Sequence, residues 1–205
     1  MAFIAFLGCD GSGKSAVLDR VTERTRAEGI TVFRGHWRPR VVDSGESQNS
    51  RTAADDPHGQ QPRGTVSSIM KLGWLWLNWW VGWWKLLSSQ SRCGLVLFDR
   101  YHADLLVDPK RYRYGAPIVF ARIASRLMPQ PDRVFFLDAA PEILLSRKQE
   151  VGRDALERSR ARYLQLAKIH ERIKIIDASK PLEEVVDEVC GEIRRMMRSD
   201  SRSAS

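Results

Sequence analysis

Phe3-Ile4-Ala5-Phe6-Leu7-Gly8-Cys9-Asp10-Gly11-Ser12-Gly13-Lys14-Ser15 is the stretch on which the architecture turns. Its five leading apolar residues, without alternation, read as a buried strand. They run into a turn that fits G-x-x-x-x-G-K-[ST] from Gly8 to Ser15 without a mismatch, and the turn opens a helix from Lys14 to Glu28, stopped by Gly29. The glycines let consecutive backbone N–H groups converge on phosphate oxygens, and the helix N-terminus adds positive potential. In such a loop Lys14 reaches the β- and γ-phosphates and the Ser15 hydroxyl meets Mg²⁺. Gly8, Asp10, Gly11, Ser12, Gly13, Lys14 and Ser15 are therefore the expected ATP-binding loop.

Working outward, Ile30–Phe33, Leu95–Phe98, Val134–Leu137 and Ile173–Ile176 are four more short apolar runs. Helical patterns lie between or after them: a Trp-rich segment over 69–90, then Pro117–Leu127, Pro141–Lys148, Asp154–His170 and Pro181–Met197. Short apolar strands alternating with helices predict an α/β fold, a P-loop three-layer sandwich with a five-stranded parallel sheet and helices on both faces. The expected organisation is one kinase-type domain over 1–198. Residues 43–68, rich in Ser, Gly, Gln, Asn, Pro and Asp, read as a flexible insertion, and 199–205 as a disordered polar tail.

At 205 residues, with 43% hydrophobic and 28% charged side chains, the composition excludes wholesale disorder or a fibre. The net charge of +8 asks for an anionic partner. Cys9, Cys93 and Cys190 show no zinc or disulfide spacing, and His36, His58, His102 and His170 show no metal spacing, so a reducing cytoplasm is expected. Leu72–Trp84 would measure about 20 Å as a helix, short of a bilayer core of about 30 Å. The interleaved Lys110-Arg111-Tyr112-Arg113-Tyr114 could suit nucleic acid, but no nucleic-acid module accompanies it, and Asp104 and Asp108 oppose a phosphate track. No N-K-x-D motif is present, which argues against a GTPase.

Asp99-Arg100-Tyr101 closes the strand 95–98, PDRVFFLDAAPE is followed by Arg147, RARYLQLA spans 160–167, and IIDASKPLEEV begins at Ile175. With GCDGSGKS, this order resembles the thymidylate kinase family of nucleoside monophosphate kinases. The resemblance implies an ATP- and Mg²⁺-dependent phosphotransferase with dTMP as lead acceptor. It places Asp10 against the acceptor sugar, Asp99 near Mg²⁺ beside Ser15, and Arg100 on the acceptor phosphate. Arg147 opens a lid over 147–160 and touches the ATP phosphates; Arg153 follows as a stabiliser of the transferred charge. The DASKP stretch, with Ala178 and Lys180, lies against adenine. The expected catalytic set is thus Lys14, Asp99, Arg100, Arg147 and Arg153, with Ser15 and Asp99 on the metal.

The acceptor side departs from the family pattern. Where the family carries R-E-P-G, this chain reads Phe33-Arg34-Gly35-His36-Trp37-Arg38-Pro39-Arg40, and Asn78 falls close to the position of a base-reading Arg. Asp10, Arg38, Asn78, Arg100 and Tyr101 are the expected acceptor group. Six of the seven Trp crowd into 74–84. On a helical projection Trp76, Trp79, Trp80 and Trp83 oppose a stripe of Lys71, Asn78 and Lys85, and the apolar side is expected to be covered. A core or homodimer helix, an acceptor pocket, and contact with a membrane surface through 72–87 are the competing readings; a homodimer is the partner favoured by the resemblance. Two rival functions remain: the same kinase fold acting on a sugar phosphate or a lipid-linked or polysaccharide precursor, and a nucleotide-binding membrane or partner adaptor.

Overall fold

The computed structural model describes residues 1–36, 64–89, 94–109, 114–148 and 152–203, with side chains described for all of these but 36, 85–89 and 199–203. Its elements run β1 (Ala2–Gly8), α1 (Lys14–Ala27), β2 (Val32–His36), α2 (Thr65–Ser89), β3 (Leu95–Asp99), α3 (Ala103–Val107), α4 (Ile118–Arg126), β4 (Arg133–Asp138), α5 (Pro141–Arg147), α6 (Arg153–Ile169), β5 (Ile173–Asp177) and α7 (Leu182–Ser203). The strands form one sheet in the order β2-β3-β1-β4-β5, parallel throughout, in a three-layer sandwich.

β1 lies at the centre because nothing in it requires water. All seven of its residues are buried, which is why its sequence is apolar without alternation. It pairs with β3 on one side, Ala2 opposite Leu95, and with β4 on the other, Ile4 opposite Arg133. Successive strands therefore leave β1 in opposite directions, and the crevice at its carboxyl end is the place where such sheets bind ligands. The loop 8–15 stands at that end.

Contact density divides the chain into two compact units, one of residues 1–35, 92–101 and 131–205, the other of 36–91 and 102–130. In the first, α1 and α7 pack side by side and are laced by Arg20–Glu183, Arg24–Glu183, Arg24–Asp187 and Arg194–Glu28. In the second, α4 packs with α2 and α3, and the Ser68 hydroxyl accepts the Gly115 N–H at 3.0 Å.

Four boundaries differ from the sequence reading, one of them at the C-terminal helix: α7 continues through Ser203, so 199–203 are helical where a disordered polar tail was expected. β2 begins at Val32 rather than Ile30, because Gly29 at φ 79° and the bond from Ile30 N–H to Thr25 O extend the helix-ending turn. It continues past Phe33 because Gly35 lets the Phe98 ring sit 2.5 Å from where a Cβ would stand. α2 starts at Thr65, inside the stretch read as an insertion, since Ser68 is buried and its N–H bonds Gly64 O. Residues 37–63, 90–93, 110–113, 149–151 and 204–205, with Arg38, Cys93, all of the basic-aromatic run but Tyr114, and part of the expected lid, lie outside the described residues. Among the described residues no helix is long and apolar enough to cross a membrane.

Candidate active site

The loop after β1 takes its shape from glycine geometry. Gly11 has φ 83°, and a Cβ there would lie 2.3 Å from the Leu144 carbonyl oxygen; the loop apex rests on α5 with no room for a side chain. Gly13 has open space around it but φ 78°, the left-handed region, and caps α1. No side chain caps the α1 N-terminus and its first turn holds no acidic residue. Its N–H groups and dipole are thus left to an external anion. Lys14 Nζ donates to Gly8 O at 2.7 Å, Cys9 O at 3.0 Å and Ser12 Oγ at 3.4 Å, so the buried ammonium is held above the loop by oxygens that a phosphate could replace. Ser15, one residue on, is exposed.

β3 delivers the next groups beside this loop, in register with β1 at Phe6 opposite Asp99. Arg100 sits at φ 67°, a conformation a non-glycine residue adopts at a cost of about 1–2 kcal/mol. It is fixed by its N–H to Phe6 O at 3.0 Å and by its guanidinium to Asp10 Oδ1 at 3.0 Å. Asp10 and Arg100, ninety positions apart, are thereby brought together, both mostly buried. Asp99 Oδ1 is buried without a hydrogen-bond partner among the described residues. An orphaned carboxylate oxygen is costly unless a cation or water meets it, and with the exposed Ser15 hydroxyl it is a donor pair suited to Mg²⁺, an oxygen-seeking cation. Tyr101 is 1% exposed and packs edge-on against Phe3 and Phe98. Burial raises its phenol well above the ordinary range. It is a core side chain, lying behind Arg100.

The two arginines expected in the lid, Arg147 and Arg153, are both engaged. Arg147 Nη1 donates to Ala178 O at 2.8 Å. Arg153 bonds Glu157 and Glu142 at the surface; the hydrogen bond to Glu157, then the charge of Glu142, raise its pKa. Lys180 pairs loosely with Glu188 at 3.7 Å. One pair beside these residues was not singled out from sequence. Arg160 forks onto Asp138 with Nε–Oδ1 2.7 Å and Nη2–Oδ2 2.8 Å, and the Asp138 carbonyl accepts the Ala178 N–H at 2.7 Å. The only sequence signal was their membership of the segments 132–142 and 160–167.

In the second unit, Asn78 Nδ2 donates to Trp74 O at 2.8 Å, within its own helix. Its amide is therefore turned along α2. His102, in the turn before α3, is buried and hydrogen-bonded to Ser125 Oγ. The Trp helix is covered on one side only. Trp79 is 2% exposed and stacks on Trp83 at 5.7 Å, and Trp76 meets Trp80 edge-on. Trp74 and Trp84, however, are 64% and 65% exposed, in line with Val66, Met70, Leu77 and Val81. The apolar surface wraps further round α2 than the expected covered face.

A sequence model of the family described as "Thymidylate kinase" matches residues 87–189, just over half of the chain. Among curated proteins, this chain is 25% identical over 193 residues to the "Probable thymidylate kinase" of Archaeoglobus fulgidus, with 91% of each chain covered. It is 24% identical to the "Probable thymidylate kinase" of Sulfolobus acidocaldarius, covering 92% of this chain and 94% of that one. A third similar protein is the "Thymidylate kinase" of Thermosipho africanus, 24% identical, with 96% and 100% covered.

Proposed function

This chain belongs to the thymidylate kinase family of nucleoside monophosphate kinases, and on that premise we propose that it transfers the γ-phosphoryl of ATP to dTMP with Mg²⁺ assistance. The observation that carries this reading is the meeting of the anion-ready loop, Lys14, Asp10, Asp99 and Arg100 at the carboxyl end of β1. The choice of dTMP rests on the names of the relatives.

Phosphoryl transfer asks a protein for alignment and charge neutralisation more than for covalent chemistry. In this reading the loop N–H groups and Lys14 hold the β- and γ-phosphates, Lys14 exchanging the Gly8 and Cys9 carbonyls for phosphate oxygens. Ser15 and Asp99 would hold Mg²⁺, which when bound neutralises charge between the phosphates. Arg100, oriented by Asp10, takes the acceptor phosphate, for which a planar fork is suited. Arg153 leaves its exposed carboxylates for the transferred group, since such surface pairs are worth about 0–1 kcal/mol. Arg147 acts from the edge of the ATP site, and Ala178 and Lys180 border adenine. Arg38, Asn78 and Tyr101 are kept as acceptor-side proposals on the sequence pattern alone. The chain acts as a single kinase domain over 1–198, in a cytoplasmic setting.

A coupled ADP-release assay over a panel of nucleoside monophosphates tests the reading. Turnover is expected with dTMP and little or none with purine monophosphates. ATP binding without turnover on any of the panel would instead favour a sugar phosphate or lipid-linked acceptor, or an adaptor role.

The exposed line Val66, Met70, Trp74, Leu77, Val81 and Trp84 supports a homodimer formed through α2, because a contiguous apolar stripe of this size marks an interaction surface. Light scattering at micromolar concentration should give twice the chain mass. A monomer that co-sediments with anionic liposomes would point to a membrane surface instead.

A further inference from the structure

We propose that Arg160 is a positioning residue of the ATP site, acting through Asp138 to seat α6 and to hold Ala178 in place. The inference rests on the ATP reading given above for residues 178–180, and it concerns a pair to which that reading assigns no role. Asp138 ends β4 and faces two ways. Its carboxylate accepts both arms of the Arg160 fork, at 2.7 and 2.8 Å. Its carbonyl accepts the Ala178 N–H at 2.7 Å. The Ala178 carbonyl in turn accepts Arg147 at 2.8 Å. One unbroken line of hydrogen bonds therefore runs from α6 through β4 and the β5–α7 loop to the end of α5. The sheet supports the same junction, since Asp138 is paired with Asp177, the residue before Ala178.

Burial separates this pair from the other lid arginine. The Arg160 and Asp138 side chains are 30% and 14% exposed, whereas Arg153 and its carboxylate partners are each about half exposed or more. A bidentate, partly desolvated fork is stronger and more directional than a screened surface pair. Arg153 can therefore change partners when phosphate arrives, while Arg160 keeps its partner and fixes where α6 begins.

The test combines amide hydrogen exchange without nucleotide and steady-state kinetics on Arg160→Gln, Arg160→Lys and Asp138→Asn. Arg160→Gln should speed exchange at Ala178 and in the first turns of α6, leaving β1 and β3 protected. It should raise both the Kd and the KM for ATP about tenfold, with kcat at saturating ATP changed far less. Arg160→Lys should recover part of the loss, and the Arg160→Gln/Asp138→Asn double variant should be no worse than either single one. Unchanged exchange at Ala178 together with wild-type ATP affinity would overturn the proposal. So would a kcat loss of about a hundredfold at constant KM, the mark of direct contact with the transferred group. If Arg160→Gln fails to fold, the lysine and Asp138→Asn variants decide by the same two readouts. A wild-type protein that binds no ATP would count against the ATP reading, and the exchange measurement would still decide the coupling between Arg160 and Ala178.

Discussion

Lys14 is held by three oxygens of its own loop, so removing its side chain deletes the charge meant for phosphate while leaving the helix that follows intact. Lys14→Ala should abolish turnover with an unchanged circular dichroism spectrum and melting within a few degrees of wild type. The two loop glycines fail differently. Gly13→Ala meets only backbone strain, about 1–2 kcal/mol, because nothing lies within 4 Å of its Cβ. Gly11→Ala carries the same strain and also drives a methyl into the Leu144 carbonyl. Chemical denaturation should rank Gly11→Ala below Gly13→Ala, and only the former should shift α5 in hydrogen exchange. At this scale the phosphate loop was legible because all its information lies within eight consecutive residues. The resemblance gave Asp10 and Arg100 separate roles, but neither their contact nor the Arg160–Asp138 fork was legible, because each joins residues far apart along the chain. Tyr101 shows the opposite error: a tyrosine beside a functional Arg reads as a ligand contact until its burial against Phe3 and Phe98 is seen.

Elements were read best where one physical requirement dominated. β1, β3, β4 and β5 are each within one or two residues of their apolar runs, and for β1, β3 and β4 the reason is that a doubly covered strand leaves no alternation to misread. β2 slipped because a left-handed Gly29 and the Gly35–Phe98 contact, both tertiary in effect, set its ends. α3, five residues long, carries too few residues for a period and was missed. α2 divides its tryptophans by face, and their substitution should divide likewise. Trp79→Ala should cost about 3–5 kcal/mol in urea unfolding, whereas Trp74→Ala and Trp84→Ala should stay within about 0.5 kcal/mol of wild type and weaken self-association. On α7, Glu192 is held below its ordinary pKa of 4.5, first by the Lys174 hydrogen bond, against opposing desolvation. A lowered carboxyl contributes stability that is present above its ordinary value and lost as pH falls through the folded one. Glu192→Gln should therefore be least stable relative to wild type at neutral pH, with the gap narrowing below pH 4.5.

For the molecule as a whole, the excess of +8 gathers meaning at the carboxyl end of the sheet. Lys14, Arg100, Arg147 and Arg153 sit on loops or helix ends that follow β1, β3 and β4, and Arg160 stands two turns into α6. Each is held by a carboxylate or carbonyl, an arrangement that keeps a concentrated positive field without a bound polyphosphate. The sheet order explains why this happens at β1, where β2 and β3 lie to one side and the chain after β3 crosses to β4 on the other. The central claim is that this field serves phosphoryl transfer to a pyrimidine monophosphate. Its most direct test follows the label from γ-³²P-ATP, with Mg²⁺ and dTMP, in the wild-type protein beside Lys14→Ala. The account predicts labelled dTDP from the wild type and none from the variant. Label that remains in ATP, or that appears only as inorganic phosphate, would contradict it.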